Sequence, residues 1–230
     1  MKFGIVVFPG SNCDRDTFHF INDELGYNAT YLWHKEPDLK NCDFIILPGG
    51  FSYGDYLRTG AIARFSPIMS EVMKHAHKGG YVLGICNGFQ ILTECHLLPG
   101  ALLKNEHTKF TCNNQFIVPG TNNSLLTHSL EVGKDVLKIP IAHGDGRFFA
   151  GDEELSQMLN NDQILFYYSD QDGNINPDSN PNGSLINIAG ICNGSRNVFG
   201  MMPHPERAGS HIVGNTDGQR LFDHLLEFAL

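Results

Sequence analysis

The chain has 230 residues, 41% of them hydrophobic and 18% charged, and a formal net charge of -9. This composition supports a sizeable core, and the acidic excess argues against nucleic acids and anionic membranes as partners. No segment approaches the ~20 consecutive apolar residues that a membrane-spanning helix needs. The six cysteines form no CxxC pair and no metal-ligand spacing, which indicates reduced thiols. We therefore expect a cytoplasmic protein without a bound metal.

In the first half of the chain, strand patterns alternate with helix patterns. The predicted strands are Lys2–Phe8, Ala29–Trp33, Asp43–Leu47 and Tyr81–Ile85. The predicted helices are Asp14–Leu25, Pro67–Lys78 and Phe89–Leu97. Such alternation is typical of a doubly wound, mostly parallel sheet with helices on both faces.

In the second half, strands follow one another with few helices between them. The predicted strands are Lys109–Val118, Asp135–Ile141, Ile164–Tyr168, Ser184–Cys192 and Asn197–Met202. A helix is expected at about Asp217–Phe228, and the polar stretch Ser169–Gly183 reads as an exposed loop. The fold class predicted is therefore α/β, with a doubly wound, mostly parallel central sheet and added antiparallel strands. We expect one domain over residues 1–230.

The segment Gly84-Ile85-Cys86-Asn87-Gly88 fits the G-x-nucleophile-x-G elbow, with Cys in place of Ser. It follows a predicted buried strand and precedes a predicted helix, the context that the elbow requires. The helix N-terminus carries a partial positive charge that favours the reactive thiolate. Cys86 is thus a candidate nucleophile, and the alternative is a small buried core residue.

A second copy of the same five residues ends in Cys192-Asn193-Gly194. It is followed by another strand pattern rather than a helix, and Asn-Gly between two strands is a hairpin turn signal. We therefore predict that Cys192 is structural and Cys86 is the nucleophile.

A cysteine nucleophile needs a histidine base, and that histidine needs a third group to hold its tautomer. Of the 11 histidines, His204 lies in Pro203-His204-Pro205-Glu206. Residues two apart in extended backbone lie on the same side, so Glu206 is placed to hold the His204 ring. The alternative is an exposed histidine in a proline turn.

An oxyanion hole is also needed for acyl-transfer chemistry. The elbow supplies the backbone N–H of Asn87, and the glycine-rich loop Pro48-Gly49-Gly50-Phe51 is the candidate source of a second donor. We therefore include Gly50 and Phe51 among the candidate site residues. Gly49-Gly50 as a simple turn remains the alternative.

A cysteine elbow followed much later by His-Pro-Glu resembles the class I glutamine amidotransferases. The segments Pro9–Asp14, Leu47–Arg58, Gly84–Gln90, Ala142–Gly146 and Gly200–Arg207 look like one branch of that family. That branch contains the glutaminase subunits of phosphoribosylformylglycinamidine synthase. The similarity runs from Met1 to the C-terminal region.

The resemblance implies that the chain hydrolyses glutamine to glutamate and ammonia, with Cys86, His204 and Glu206 as nucleophile, base and acid. It implies substrate contact by Gln90, one turn after the nucleophile, and extends that role to His143. It further implies an ATP-dependent synthetase subunit as partner, which would use the ammonia to convert formylglycinamide ribonucleotide to the amidine. ATP and magnesium are expected on that partner, and the presence of a small third subunit stays open.

The chain contains no GxxxxGK[ST] phosphate loop and no GxGxxG opening a helix after a strand, so no cofactor is expected on it. Three alternatives stand beside the glutaminase of purine synthesis. One is a glutaminase serving another synthase, such as that of pyridoxal phosphate synthesis. The others are a cysteine peptidase on the same elbow and a non-enzymatic binding module.

Overall fold

The computed structural model describes residues 1–223 and residue 225. Five parallel strands form one half of a nine-stranded sheet: β1 (Lys2–Val7), β2 (Asn28–Trp33), β3 (Phe44–Leu47), β4 (Tyr81–Ile85) and β11 (Val198–Met201). Their order across the sheet is β2-β1-β3-β4-β11. The strand β3 is buried along its whole length, as expected for a strand covered on both faces.

The other half of the sheet is antiparallel. It contains β6 (Thr111–Pro119), β7 (Leu137–His143), β9 (Ile164–Ser169) and β10 (Ile188–Cys192). The sheet continues from β11 in the order β10-β9-β6-β7, with every one of these pairs antiparallel. Because the direction alternates at each step, β9 and β7 run the same way as β4. Their carboxyl ends therefore reach the same edge of the sheet as the end of β4.

Four α-helices are assigned within the described residues: α1 (Asp14–His19), α2 (Pro67–His77), α3 (Asn87–Glu94) and α4 (Asp152–Asn160). The predicted fold class is confirmed, and the predicted elements of the first half are present with small shifts at their ends. The predicted helix Asp14–Leu25 is divided, because α1 continues as a π-helical turn over Phe20–Glu24. The backbone N–H of Leu25 bonds the carbonyl of Phe20, and Gly26 ends the turn with a φ of 73°.

The second half differs from the sequence-based expectations at several places. The helix α4 and the small sheet of β5 (Ala101–Leu103) and β8 (Arg147–Phe149) were not predicted. The stretch Ser169–Gly183 is not simply an exposed loop, because Ser169, Ser179 and Asn182 are buried.

The strand expected from Ser184 begins only at Ile188, because a 3-10 turn occupies Leu185–Asn187. Of the helix predicted at Asp217–Phe228, the structure describes a 3-10 turn over Asp217–Leu221. Residue 224 and the part beyond residue 225 lie outside the described residues.

The core fills both faces of the sheet. On the parallel half, stacked aromatic rings of Phe3, Phe44, Tyr81 and Phe199 follow one another across the strands, with centroids 5.1 to 6.4 Å apart. Offset stacks of this kind add to the free energy of burying the rings. Across the described residues there is no helix with the length and apolarity that crossing a bilayer requires.

Candidate active site

Cys86 occupies a strained turn between β4 and α3. Its backbone has φ 50° and ψ -102°, a conformation that costs a non-glycine residue on the order of 1–3 kcal/mol. The Cys86 N–H donates to the carbonyl of Met201 on the adjacent strand β11, at 2.8 Å. A Cβ on Gly88 would lie 1.9 Å from the carbonyl oxygen of Leu47, so only glycine allows α3 to start this close to β3. The predicted strand–turn–helix elbow is therefore present.

Cys192 lies in the other context that the sequence predicted. It is the last residue of β10, fully buried, and β10 pairs with β11 as an antiparallel hairpin. Burial raises the pKa of the Cys192 thiol to about 11, which keeps it protonated at neutral pH. The two identical pentapeptides therefore occupy different structures, and only the one at Cys86 forms an elbow.

His204 and Glu206 form a buried pair directly after β11. The His204 Nδ1 and Glu206 Oε1 atoms are 2.6 Å apart, and both side chains are almost completely buried. The backbone N–H of His204 donates to the carbonyl of Pro140 at 2.8 Å, which fixes the turn against β7. Glu206 is therefore in the position expected of the group that orients the histidine.

The electrostatics of His204 connect it to Cys86. Burial alone lowers the pKa of an imidazole, but here the Glu206 carboxylate and then the charge on Cys86 raise the pKa of His204 well above its usual value. Among the described residues, His204 Nε2 has no hydrogen-bond partner. Because Nδ1 is held by Glu206, Nε2 is the ring nitrogen left for proton transfer.

The candidate oxyanion donors differ in their availability. Gly50 has φ 133°, and a Cβ there would lie 2.7 Å from the backbone nitrogen of Asn12, so the loop after β3 requires glycine at this position. The N–H of Phe51 already donates to the carbonyl of Gly10 at 2.9 Å. Asn87 is the first residue of α3, where an N–H has no acceptor within the helix. Asn87 and Gly50 are thus better placed as donors than Phe51.

Gln90 belongs to a buried hydrogen-bonded network rather than to the helix surface. Its side-chain NH₂ donates to the carbonyl of Asp145 at 2.6 Å, and its Oε1 accepts from Asn87 at 2.8 Å. The same Asn87 side chain accepts from the Ser52 N–H at 3.0 Å and donates to Asp55 at 3.3 Å. The network therefore ties the residue after the nucleophile to the loop after β3.

His143, the last residue of β7, reaches the same edge of the sheet. The preceding residue, Ala142, has its carbonyl oxygen 3.7 Å from the Cys86 sulfur. His143 is buried, and burial followed by the charge of His204 lowers its pKa to about 4. The structure thus gathers the candidate side chains and backbone groups around the carboxyl ends of β3, β4, β7 and β11.

Cys13 and Arg207 were not singled out from the sequence, although both contact the catalytic groups. Arg207 donates to Cys13 Sγ at 3.1 Å, and Cys13 is near enough to His204 to help raise the pKa of the imidazole. Cys13 lies within the segment Pro9–Asp14 and Arg207 ends the segment Gly200–Arg207, and the resemblance of these segments to the family was the available signal. The pair links the start of α1 to the turn that carries His204.

Cys13, His204 and Glu206 are also the group of potential metal ligands found among the described residues, with their ligand atoms within 4.8 Å of one another. Each is already engaged, since Arg207 bonds Cys13 and Glu206 bonds His204. A cation there would also lie beside a guanidinium. These contacts favour a proton-transfer site over a metal centre.

Comparison with known proteins agrees with this geometry. Residues 1–226 match the family model described as the CobB/CobQ-like glutamine amidotransferase domain. The chain is 53% identical over 226 residues to phosphoribosylformylglycinamidine synthase subunit PurQ of Koribacter versatilis, covering 98% of this chain and 97% of that protein. It is 54% identical over 227 residues to the subunit of the same name from a Nostoc species, covering 99% and 97%.

Among solved structures, the chain is similar to a chain of PurLQS from Thermotoga maritima, with a TM-score of 0.87 and 41% identity, covering 100% of this chain and 99% of that one. These matches favour the glutaminase over the peptidase and the binding module. The chain belongs to the CobB/CobQ-like glutamine amidotransferase family.

Proposed function

We propose that the chain is the glutaminase subunit of a phosphoribosylformylglycinamidine synthase. It hydrolyses glutamine to glutamate and ammonia and passes the ammonia to an ATP-dependent synthetase subunit in purine biosynthesis. The observation that carries the chemistry is the buried His204–Glu206 pair beside Cys86 on a strand–turn–helix elbow. The choice of this synthase rests on relatives that are more than 50% identical to the chain over nearly its whole length.

The first half of the reaction forms a thioester. The Cys86 thiolate attacks the side-chain amide carbon of glutamine, and the oxyanion that develops accepts hydrogen bonds from the N–H groups of Asn87 and Gly50. His204 carries the proton on Nε2 at this stage. It gives that proton to the amide nitrogen, the C–N bond breaks, and ammonia leaves.

The second half hydrolyses the thioester. A water molecule takes the position that ammonia vacated, and His204 Nε2 accepts one of its protons as the oxygen attacks the acyl carbon. The tetrahedral intermediate collapses, glutamate leaves, and the Cys86 thiolate is restored beside the His204 imidazolium. Glu206 stabilises that imidazolium through Nδ1 and stays ionised throughout.

Substrate recognition falls to Gln90 and its neighbours. Gln90 is buried, and in the free chain its side-chain NH₂ group donates a hydrogen bond to the carbonyl of Asp145. A glutamine molecule that exchanges hydrogen bonds with these groups would be fixed relative to Cys86. His143 belongs to the same wall of the site.

We assign ATP and magnesium to the synthetase subunit and no cofactor to this chain. The matched chain of the Thermotoga maritima PurLQS structure supports a multi-subunit setting. A contact surface for the synthetase is offered by the loop after β3, where Phe51, Tyr56 and Leu57 are 47%, 74% and 85% exposed. The ring of Phe110 lies 6.4 Å from that of Phe51 and is also exposed, which extends the surface. We call these four residues the apolar rim.

The free chain is closed around its nucleophile. Cys86 is 5% exposed and His204 is 1% exposed, so glutamine cannot reach the thiol without movement of the surrounding loops. The loop after β3 is a strained candidate for that movement, because Tyr53, Asp55 and Leu57 all have positive φ. Binding of the synthetase to the apolar rim would couple opening of the site to assembly.

The test compares glutamine hydrolysis by the chain alone with hydrolysis by the chain plus its synthetase subunit and ligands. We expect weak activity alone and strong stimulation in the complex. Cys86→Ala should abolish glutamine-dependent amidine synthesis and spare synthesis driven by added ammonium. Loss of the ammonium-driven reaction would contradict this division of labour, and full activity of the isolated chain would contradict the coupling.

A further inference from the structure

Asn105 holds the side chain of His143 through a set of buried hydrogen bonds. Asn105 lies in the segment between β5 and β6 and is 1% exposed, while His143 is 3% exposed. The Asn105 Nδ2 group donates to the carbonyls of Lys109 and of His143 itself, each at 2.9 Å. Asn105 Oδ1 accepts from the N–H of Gly146 at 3.0 Å and contacts His143 Nδ1 at 3.1 Å.

These contacts fix the orientation of the Asn105 amide. Backbone carbonyls only accept and a backbone N–H only donates, so a flipped amide would lose all three backbone bonds. The atom facing His143 is therefore the oxygen, which requires the proton of the ring to be on Nδ1. In the neutral imidazole that places an unshared electron pair on Nε2.

The His143 ring stays neutral under physiological conditions. Burial and then the nearby His204 lower the pKa of His143 to about 4. Its Nε2 atom is buried and has no hydrogen-bond partner among the described residues. A buried acceptor without a partner costs free energy, so a ligand that donates to it is favoured.

His143 follows directly on the backbone that lines the catalytic site, and its ring is near enough to His204 for the charge of His204 to lower its pKa. The carbonyl of Ala142, one residue earlier, is 3.7 Å from the Cys86 sulfur. Ammonia leaving the thioester and the water replacing it both carry more hydrogens than His204 Nε2 can accept. A second acceptor beside the thioester would orient the lone pair of either molecule toward the acyl carbon.

We propose that His143 is a catalytic residue whose Nε2 accepts a hydrogen bond from the departing ammonia and from the incoming water, and that Asn105 is the positioning residue that fixes its tautomer. This inference rests on the proposed glutaminase activity. During hydrolysis, one water proton moves to His204 as the C–O bond forms, and the other O–H stays bonded to His143. The C–S bond then breaks, and His143 neither gains nor loses a proton.

Asn105→Asp tests the assignment in the complex with the synthetase subunit. The new carboxylate keeps the shape of the side chain and loses the two bonds to backbone carbonyls, a loss that the control variant shares. Its charge favours the imidazolium form of His143, whose Nε2 then carries a hydrogen and cannot accept. We expect kcat for glutamine hydrolysis to fall about tenfold or more at pH 7 and to recover as the pH is raised past the new pKa of His143. The other titratable groups that act on His143, namely His204 and His107, are unchanged in this variant.

Asn197→Asp is the matched control. Asn197 is another buried asparagine whose Nδ2 donates to two backbone carbonyls, those of Ala76 and Gly80, at the opposite edge of the sheet. It should alter stability and leave the pH profile of kcat unchanged. A pH-independent loss in Asn105→Asp would show a merely structural role and overturn the proposal.

A measurement independent of activity separates this inference from the proposed function. Nitrogen NMR of the histidine rings should show His143 protonated at Nδ1 alone in the wild type and at both nitrogens in Asn105→Asp. His143→Gln, which keeps an acceptor, should retain more kcat than His143→Leu. The proposal fails if Nε2 carries the proton in the wild type, or if His143→Leu hydrolyses glutamine at the wild-type rate. Absence of glutaminase activity in the wild-type complex would instead contradict the proposed function.

Discussion

At the scale of single residues, the site depends on where protons and charges are held. Among the described residues, His204 has Glu206 on Nδ1 and no partner on Nε2, while His143 has the amide oxygen of Asn105 on Nδ1 and no partner on Nε2. The carboxylate raises the pKa of the first ring, and burial lowers the pKa of the second. In the mechanism that we propose, the two histidines of one site therefore have opposite roles, one as a proton carrier and one as an acceptor.

The two copies of the elbow pentapeptide predict where a glutamine-like diazoketone reacts. Its adduct should appear on the peptide that contains Cys86, because the elbow presents that thiol beside His204. Cys192 is fully buried at a strand end, and its raised pKa keeps it protonated. Mass spectrometry of the labelled protein checks the site, and an adduct on Cys192 would reverse the assignment.

Substitutions in the His204–Glu206 pair should differ in severity. His204→Ala removes the proton carrier, so kcat should fall by a factor on the order of 10³ or more. Glu206→Gln keeps the shape and a hydrogen bond to Nδ1 but loses the charge, so we expect a smaller loss. Steady-state kinetics of both variants in the complex provide the measurement, and near-normal turnover in His204→Ala would exclude this base.

At the scale of elements, the loop after β3 carries both strained backbone and a half-buried carboxyl group, that of Asp55. Three of its non-glycine residues have positive φ, and Asn87 holds it through Ser52 and Asp55. Burial and then the nearby Asp145 carboxylate raise the pKa of Asp55 from 3.8 to about 6. Strained backbone and a carboxyl group that is unfavourable in its charged form both raise the free energy of this loop beside the nucleophile. The loop is therefore suited to rearrange when a partner binds.

Asp55→Asn should stabilise the chain in a pH-dependent way. Above pH 6 the folded wild type bears the full penalty of the ionised Asp55, and between pH 6 and 3.8 the folded state binds the proton before the unfolded state does. The gain in Tm from the substitution should therefore be largest near pH 8 and disappear by about pH 4. Asp178→Asn, at an exposed carboxylate, is the control and should show no such window. If Asp55→Asn raised the Tm equally at pH 8 and at about pH 4, the assigned pKa of Asp55 would be wrong.

At the scale of the whole molecule, the candidate active site lies at one edge of the sheet, and the C-terminal end of α4 lies near the opposite edge. The carboxyl ends of β3, β4, β7 and β11 meet at one edge, and the apolar rim is carried by the loop after β3 and by Phe110 beside it. The helix α4 leads into the first residue of β9, so its C-terminal end lies near the opposite edge. A partner that receives ammonia should therefore contact the rim and not α4.

Leu57→Asp should weaken the complex, because the new charge must be desolvated in an apolar contact. We expect the synthetase concentration needed for half-maximal stimulation of glutaminase to rise about tenfold or more, a change of ~1.4 kcal/mol. Leu159→Asp, on an exposed leucine of α4, is the matched control and should leave that concentration unchanged. Equal effects of the two substitutions would rule out the apolar rim as the contact surface.

The sequence by itself determined the class of chemistry. The elbow at Cys86 and the hairpin at Cys192 were distinguished by the helix or strand pattern that follows each one. The hydrogen bond predicted between His204 and Glu206 is present, but a 3-10 turn over Pro205–Arg207 brings the two side chains together rather than the extended backbone that was expected. These features are local in sequence, and the structure reproduces each of them.

Only the tertiary structure decided how distant segments complete the site. Asn105 lies outside the segments singled out in the sequence, and the bond from Arg207 to Cys13 joins two family-like segments nearly two hundred residues apart, so no local pattern indicated either contact. The N–H of Phe51 looked available in the sequence, but the loop after β1 supplies its acceptor. Hydrogen-bond satisfaction is a property of packing, because a buried polar group takes whichever partner the fold brings to it. Sequence therefore predicted which residues react, and the folded chain decided which hydrogen-bond partners they have.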